Sequence, residues 1–458
     1  MKILLINPPA NQAHLRGNYC SNVSKGIYYY PAIDLLVQSG ILHGAFDIQV
    51  LDAIATPKTS KEIFQYIAKE SFDGVYAVTG SSSRTEDLVF FSELKQNFPN
   101  IRLLVSGGYL LTQYASTLRD HSYIDGVLLD WTSLESVDFF KGRNQDFKHI
   151  ATKGHFPSCD KSEAAKVISY PTPRHEMFPI KKYHHPQAVH HPISVIIQST
   201  GCPYRCSYCI YSITPYKYRP LEEVITEIEY AKSQGIRSLF FHDPTFGIDR
   251  NYTLEFCKTM TEKQIAMGWF CQSRVDRMDF SLLRAMKNAG CHGIMFGVET
   301  SDETLLREHE RTIKHHQTIE IFRACKQLGI RTLSYLVIGL PGDSRESIYN
   351  TVELVKTLKS DFVSFNLAIP VIGTKFRDQL IAEGFISEQV LEFDNSSANP
   401  AMPTRHLTKD ELFDIHKQSI KRFYMRPSYL LGRFLSIRSI YELKNHLREG
   451  LTLLKGLV

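Results

Sequence analysis

Residues 199–211 read STGCPYRCSYCIY and set Cys202, Cys206 and Cys209 within eight residues, in a 458-residue chain that has nine cysteines in all. Chance would produce that spacing in such a chain about 0.003 times, so the triad calls for a chemical reason. Zinc prefers paired CxxC units or a companion histidine at ligand spacing, and neither stands nearby. A cubane iron-sulfur cluster normally takes four thiolates. Three, with no fourth cysteine close by in sequence, predict a [4Fe-4S] cluster with one iron left open for a small molecule. The apolar run ISVIIQSTG before the triad reads as a buried strand ending in a turn. That places the cysteines in a loop at the carboxyl end of a strand, where barrel enzymes bind their ligands.

Downstream the chain alternates. Helical runs LEEVITEIEYAKSQG, NYTLEFCKTMTEKQ, FSLLRAMKNAG, HHQTIEIFRACKQLG and SIYNTVELVKTLK are interleaved with the strands RSLFFHDPTF, MGWFCQSRVD, GIMFGVET, RTLSYLVIGLPG and FVSFNLAIP. With the first strand this makes six βα units, a parallel α/β pattern that predicts a partial (β/α)6 barrel over residues 191–378.

CxxxCxxC with an aromatic, Tyr208, just before the third cysteine resembles the signature of the radical S-adenosylmethionine (SAM) family. The resemblance implies that the open iron chelates the amino and carboxylate groups of SAM, and that one electron from the cluster releases a 5'-deoxyadenosyl radical. It also implies roles at strand ends. Asp243 in FFHDPTF would hold the SAM amino group and Glu299 in GVET the ribose or carboxylate. Gly339 and Pro341 in VIGLPGD would pass under adenine, and Arg274 in QSRVD would meet the carboxylate. Read without the family, Asp243 beside Pro244 is a turn residue and Arg274 an ordinary ion-pair partner.

Residues 1–130 read as a second α/β unit, with strands KILLINPP, FDIQVLDAIA, GVYAVTG, IRLLVSGG and IDGVLLD in a doubly wound, Rossmann-like pattern. Thr79, Ser81 and Ser82 in TGSSSRT, and Gly107 and Gly108 in SGGY, suit close backbone approach to a large planar or phosphate-bearing ligand. The opening INPP and the later SGG, upstream of the cysteine core, resemble the cobalamin-binding domain of cobalamin-dependent radical SAM enzymes. The resemblance covers nearly the whole chain and implies cobalamin as a further cofactor. A DxHxxG motif is absent, since Ile54 stands two residues after Asp52, so the resemblance implies a lower cobalamin face without a histidine from here. Where relatives carry a histidine after the double glycine and a GEGE-like stretch, this chain reads GGYLLT and LDWTSLES.

Residues 131–190, including SYPTPRHEMFPIKKYHHPQAVHHP, read as a solvated, partly ordered linker. The two HHP units lack helical spacing or a carboxylate partner for a metal. Residues 379–458 read as a helical region broken at Pro427. From Lys417 onward it carries nine Lys or Arg against two Glu, so its amphipathic helices either cap the open barrel or lie on an anionic membrane.

The net charge of +5 is too mild to indicate nucleic-acid binding. The chain opens directly with a strand, without a signal peptide. Cys20, Cys159, Cys257, Cys271, Cys291 and Cys325 are scattered, mostly in apolar runs, as reduced core residues are. An oxygen-labile cluster and free thiols both point to the reducing cytoplasm. The expected function is radical functionalisation of an unactivated carbon, with methyl transfer first and cyclisation or rearrangement of a lipid or tetrapyrrole as the alternative. The region RPSYLLGRFLSIRS, which resembles enzymes acting on tetrapyrroles or polycyclic lipids, motivates that alternative. A non-catalytic sensor is a third class. Expected partners are a small-molecule or lipid substrate and an electron donor such as flavodoxin or ferredoxin, with Tyr109, Tyr211 and Asn366 as candidate substrate contacts.

Overall fold

The computed structural model describes all residues except 17–20, 24–28, 144–145, 158–166, 392–399, 438–439 and 458, so Cys20, Cys159 and Arg438 lie outside the described residues. The first unit is built on β1 (Lys2–Asn7), β2 (Asp47–Asp52), β3 (Gly74–Val78), β4 (Arg102–Ser106) and β5 (Gly126–Leu128). These five run parallel in the order β2-β1-β3-β4-β5. From Ile3 to Asn7, β1 is buried without alternation because helices cover both faces of the sheet. They are α1 (Ile33–His43), α2 (Ser60–Glu70), α3 (Arg84–Asn97) and α4 (Leu110–Asp120). Strand order reverses between β1 and β3, which opens a crevice at the carboxyl edge of the sheet.

The sheet extends past residue 130. After α5 (Glu135–Phe140), β6 (Ile150–Thr152) pairs antiparallel with β5. Three residues are too few to show a period, so this strand left no readable pattern.

Several described residues of the 131–190 stretch are buried where the composition suggested a solvated linker. Tyr170, Phe178 and Tyr183 are buried in the core that joins the two units, and His175, His185 and Gln187 are buried with them. The His185 ring packs 4.6 Å from Phe270 and 5.1 Å from Phe240, and burial pushes its pKa down to about 3. A neutral imidazole packs as an aromatic, and composition alone reads it as polar.

The second unit has six parallel strands in sequential order: β7 (Ile193–Ile196), β8 (Ser238–Phe241), β9 (Gly268–Ser273), β10 (Cys291–Glu299), β11 (Arg331–Ile338) and β12 (Phe362–Leu367). Among the described residues no ladder joins β12 to β7, so the barrel is open. Its outer side is covered by α6 (Leu221–Ser233), α7 (Arg250–Glu262), α8 (Phe280–Asn288), α10 (His315–Leu328) and α11 (Arg345–Thr357), with the short α9 (Glu303–Glu308) between α8 and α10 in sequence. Cys257, Cys271, Cys291 and Cys325 are free thiols in that outer core. Inward-facing Phe240, Phe270, Met295 and Leu333 share a core with Leu35, Tyr76 and Tyr183, so the barrel interior is continuous with the core of the first unit and the connector.

The C-terminal region holds α12 (Lys375–Ala382), α13 (Lys409–Tyr424), α14 (Pro427–Leu435) and α15 (Ile440–Leu457). Helix α13 buries Leu412, Ile415 and Phe423 in the barrel's outer core, as a cap would. Pro427 both ends that run and occupies the first turn of α14, where its missing N–H costs nothing.

Candidate active site

The cysteine loop leaves β7 through a forced turn. Gly201 has φ +66°, and a Cβ there would sit 1.9 Å from the Pro215 carbonyl oxygen. The loop is closed at its base by an antiparallel pairing of Ser199–Thr200 with Lys217–Tyr218. It is anchored midway, where Ser207 Oγ meets His309 Nδ1 at 2.8 Å and the Phe376 amide donates to Ser207 O. Cys206 is buried, while Cys202 and Cys209 are partly exposed. Cys206 Sγ lies 3.7 Å from both Arg274 Nη1 and Arg311 Nη1, and Cys202 Sγ lies 3.7 Å from Thr245 Oγ1.

No three His, Cys, Asp or Glu side chains among the described residues converge as ligands of one ion would. A cubane takes each thiolate on a different iron, so three cysteines on one loop without a fourth ligand suit a cluster with one open iron. The buried Tyr208 hydroxyl, with no hydrogen-bond partner, lies near the triad and Glu299, and a ligand above the cluster would give it one. The residues present therefore fit a cluster with a bound polar cosubstrate.

The strand ends are more committed than the sequence suggests. Asp243 accepts from the Gln198 and Ser199 amides and, at 2.6 Å, from Ser199 Oγ. Its carboxylate holds the turn that launches the cysteine loop, and burial pushes its pKa up to about 6. Arg274 is tied to Asp276 by two 2.9 Å bonds and lies 3.8 Å over the Tyr204 ring. Asp243 braces the base of the loop, and Arg274 reaches it at Cys206. Glu299 is buried in the left-handed region, with φ +64°, and its Oε1 lies 3.1 Å from Arg311 Nη2. Strained backbone of this kind at a strand end is a mark of functional sites. Gly339 has φ +90°, and its amide donates to Asp343, which also accepts from the Leu340 amide. The Pro341 carbonyl accepts from the Arg405 amide, which ties this turn to the C-terminal region.

Sequence reasoning missed Arg311 and Asp343. Arg311 comes from the loop between α9 and α10, far from any strand end in sequence, and only the fold brings it to Cys206 and Glu299.

In the first unit, Thr79 Oγ1 donates to Asp87, and Ser82 Oγ lies 3.1 Å from His14 Nδ1. Arg16 grips the same Asp87 through Nη2 at 2.6 Å and Nε at 3.1 Å, and its Nη1 donates to Asn7 and the Pro8 carbonyl. This buried pair was also illegible, since HLR belongs to no motif. A Cβ at Gly107 would lie 2.4 Å from Thr79 O, so glycine there lets the two turns touch. Gly108 and Tyr109 follow it, buried, and Ser81 is partly exposed. Asp52 accepts from Asn7 Nδ2, Tyr183 OH and two backbone amides, and Ile54 lines the crevice beside Arg16, Tyr29 and Tyr30.

The carboxyl edges of the two sheets face one another. Asp130, just after β5, pairs with Lys217 at the base of the cysteine loop at 2.9 Å. Tyr30 OH lies 3.2 Å from Nε2 of His242, the residue after β8. Gly373, in the loop after β12, abuts Thr112 of α4 and Ile213, so close that a Cβ would lie 2.6 Å from Thr112. Tyr211 shares the short 3-10 turn with Ile213, and Asn366 donates to the Leu336 carbonyl on the barrel's inner side.

Residues 196–355 match the model of the radical SAM superfamily. The chain is 25% identical over 446 residues to an uncharacterized methyltransferase of Pyrococcus horikoshii, covering 94% of each. It is 22% identical over 453 residues to the anaerobic magnesium-protoporphyrin IX monomethyl ester cyclase of Rubrivivax gelatinosus, covering 94% of this chain and 78% of the cyclase. Its fold superposes on a radical SAM methyltransferase from Kitasatospora setae, solved with cobalamin and a [4Fe-4S] cluster, with a TM-score of 0.67, 14% identity and 99% of each chain covered. Residues 196–355, which carry the cysteine triad and most of the open parallel barrel, thus match a radical SAM domain, and the chain as a whole has the two-unit fold of the Kitasatospora setae enzyme.

Proposed function

We propose that this protein is a C-methyltransferase that uses a [4Fe-4S] cluster, SAM and cobalamin to methylate an unactivated carbon of a small-molecule substrate. The observation that carries this reading is the meeting of the two carboxyl edges, with Asp130 on Lys217 and Tyr30 on His242. These contacts bring the base of the cluster loop and the edge of the first unit together, which supports a reaction shared between the two units. When bound, the cluster supplies one electron to SAM, and cobalamin carries the methyl group. The chain's own residues position and exclude water. Cys202, Cys206 and Cys209 would hold the cluster, and Arg274 and Arg311 would balance its charge at Cys206. Tyr208, Glu299 and the Gly339–Pro341 turn would orient SAM, and the turns at Thr79–Ser82 and Gly107–Gly108 would cradle cobalamin by backbone contact. Asp243 would act through the loop it pins, as a positioning residue. Electrons would come from a flavodoxin or ferredoxin.

Anaerobic reconstitution with iron, sulfide and hydroxocobalamin, then reduction with SAM, tests the reading. Release of 5'-deoxyadenosine with stoichiometric retained cobalamin supports it, and S-adenosylhomocysteine beside it separates methylation from rearrangement. The Cys→Ala triad variant should lose both nucleosides and keep cobalamin. Turnover surviving that change would end the cluster assignment. The cyclase relative gives the rearrangement reading its support.

A further inference from the structure

Helix α14 buries none of its residues. Leu430, Leu431, Phe434 and Leu435 are 51%, 60%, 69% and 72% exposed, and on α15 Leu447 and Leu451 are 60% and 61% exposed. The opposite faces are anchored. Tyr429 OH donates to the Asp361 carbonyl, and Arg433 pairs with Asp361 at 3.4 Å, lies 4.3 Å over Phe362 and reaches His446 Nε2 at 3.0 Å. These contacts fix which sides look outward. Along α15, Leu443, Leu447 and Leu451 recur every four residues, with exposed Lys444 and Arg448 running beside them. Lys421 and Arg422 add exposed basic groups at the end of α13. Asp361 and Phe362 stand at the amino end of β12, so this face lies at the opposite end of the barrel from the cysteine loop.

We propose that the outward face of α14 and α15 docks the protein on an anionic phospholipid bilayer. Leucine and phenylalanine on one side of a helix with a basic rim are what an interfacial helix needs, because the apolar side enters the acyl boundary while the cations meet lipid phosphates. The chemistry favours a bilayer over a second copy of the chain. A two-fold contact sets the same patch against itself and would oppose exposed Lys444 and Arg448 to like charges, whereas an anionic leaflet attracts each exposed cation by about 1 kcal/mol. No described helix is long and apolar enough to cross a membrane, so the contact is peripheral. The proposal stands independently of methyl transfer.

Co-sedimentation of the full chain with phosphatidylcholine vesicles and with phosphatidylglycerol-rich vesicles tests it. The protein should pellet with the anionic vesicles and stay in solution with the neutral ones. Leu431→Asp/Phe434→Asp, and separately Lys444→Glu/Arg448→Glu, should each lower vesicle partition about tenfold or more. All of these are surface positions remote from the triad, so iron content after reconstitution should be unchanged and serves as the folding control. The proposal is overturned if the native chain binds neither vesicle, or if neither pair of changes reduces binding. It is also overturned if light scattering gives a dimer that Leu431→Asp/Phe434→Asp splits.

Discussion

Gly201 shows how little freedom the cluster loop has. With φ +66° and no room for a Cβ against the Pro215 carbonyl, Gly201→Ala must either break the turn or move the hairpin base. A cost of about 1–3 kcal/mol falls on the loop itself. The variant should keep its overall fold by circular dichroism and bind clearly less iron; full iron content would show that the turn does not set the triad. Asp34 carries a different lesson. It is buried under Ser106, whose Oγ donates to it at 2.8 Å, and burial pushes its pKa up to about 7. The folded chain then holds a proton that the unfolded chain, with an ordinary carboxyl, gives up. Stability from this group is full at low pH and declines as pH rises from about 4 to about 7. Asp34→Asn lacks that decline, so the variant should gain on the native chain in thermal midpoint between about pH 5 and about pH 8. Parallel midpoint curves would refute the buried titration.

Among the elements, α6 is tied to the cysteine hairpin by one buried carboxylate. Glu227 accepts from Arg219 Nη1 at 2.5 Å and lies 3.1 Å from His175 Nε2, and Arg219 also lies 4.2 Å over the Tyr170 ring. Arg219 follows the strand pair that closes the loop, so this cluster transmits the packing of α6 and the connector to the triad. Removing one partner leaves a buried charge uncompensated. Glu227→Ala should cost about 3–5 kcal/mol in urea unfolding, and a loss under about 1 kcal/mol would mean that water reaches Arg219. The helices and strands of the barrel stood out in sequence because each long apolar run alternates with an amphipathic one. Elements of two or three residues, such as β6 and the Ser199–Thr200 pairing, are too short to carry a period and appeared only with the fold.

For the whole molecule, function depends on how the two carboxyl edges are held. Gly373 on the barrel rim abuts α4, and Gly373→Val would press against Thr112 and Ile213. That variant should load iron normally yet lower methyl transfer about tenfold or more, because small misplacement of reacting groups is costly. Unchanged turnover with the valine in place would show that the domains meet productively elsewhere.

The sequence by itself determined the two α/β units and the cluster loop, because hydrophobic period and cysteine spacing are local properties written in consecutive residues. Tertiary structure alone decided which polar groups are left for ligands. Asp243 and Arg274 sit at strand ends, yet Asp243 is hydrogen-bonded to the base of the loop and Arg274 to Asp276. Arg311 reaches Cys206 across 105 residues, and His185 leaves a polar-looking connector for the barrel core. Such pairings depend on long-range packing and on the need to satisfy buried charge, and no local pattern encodes either.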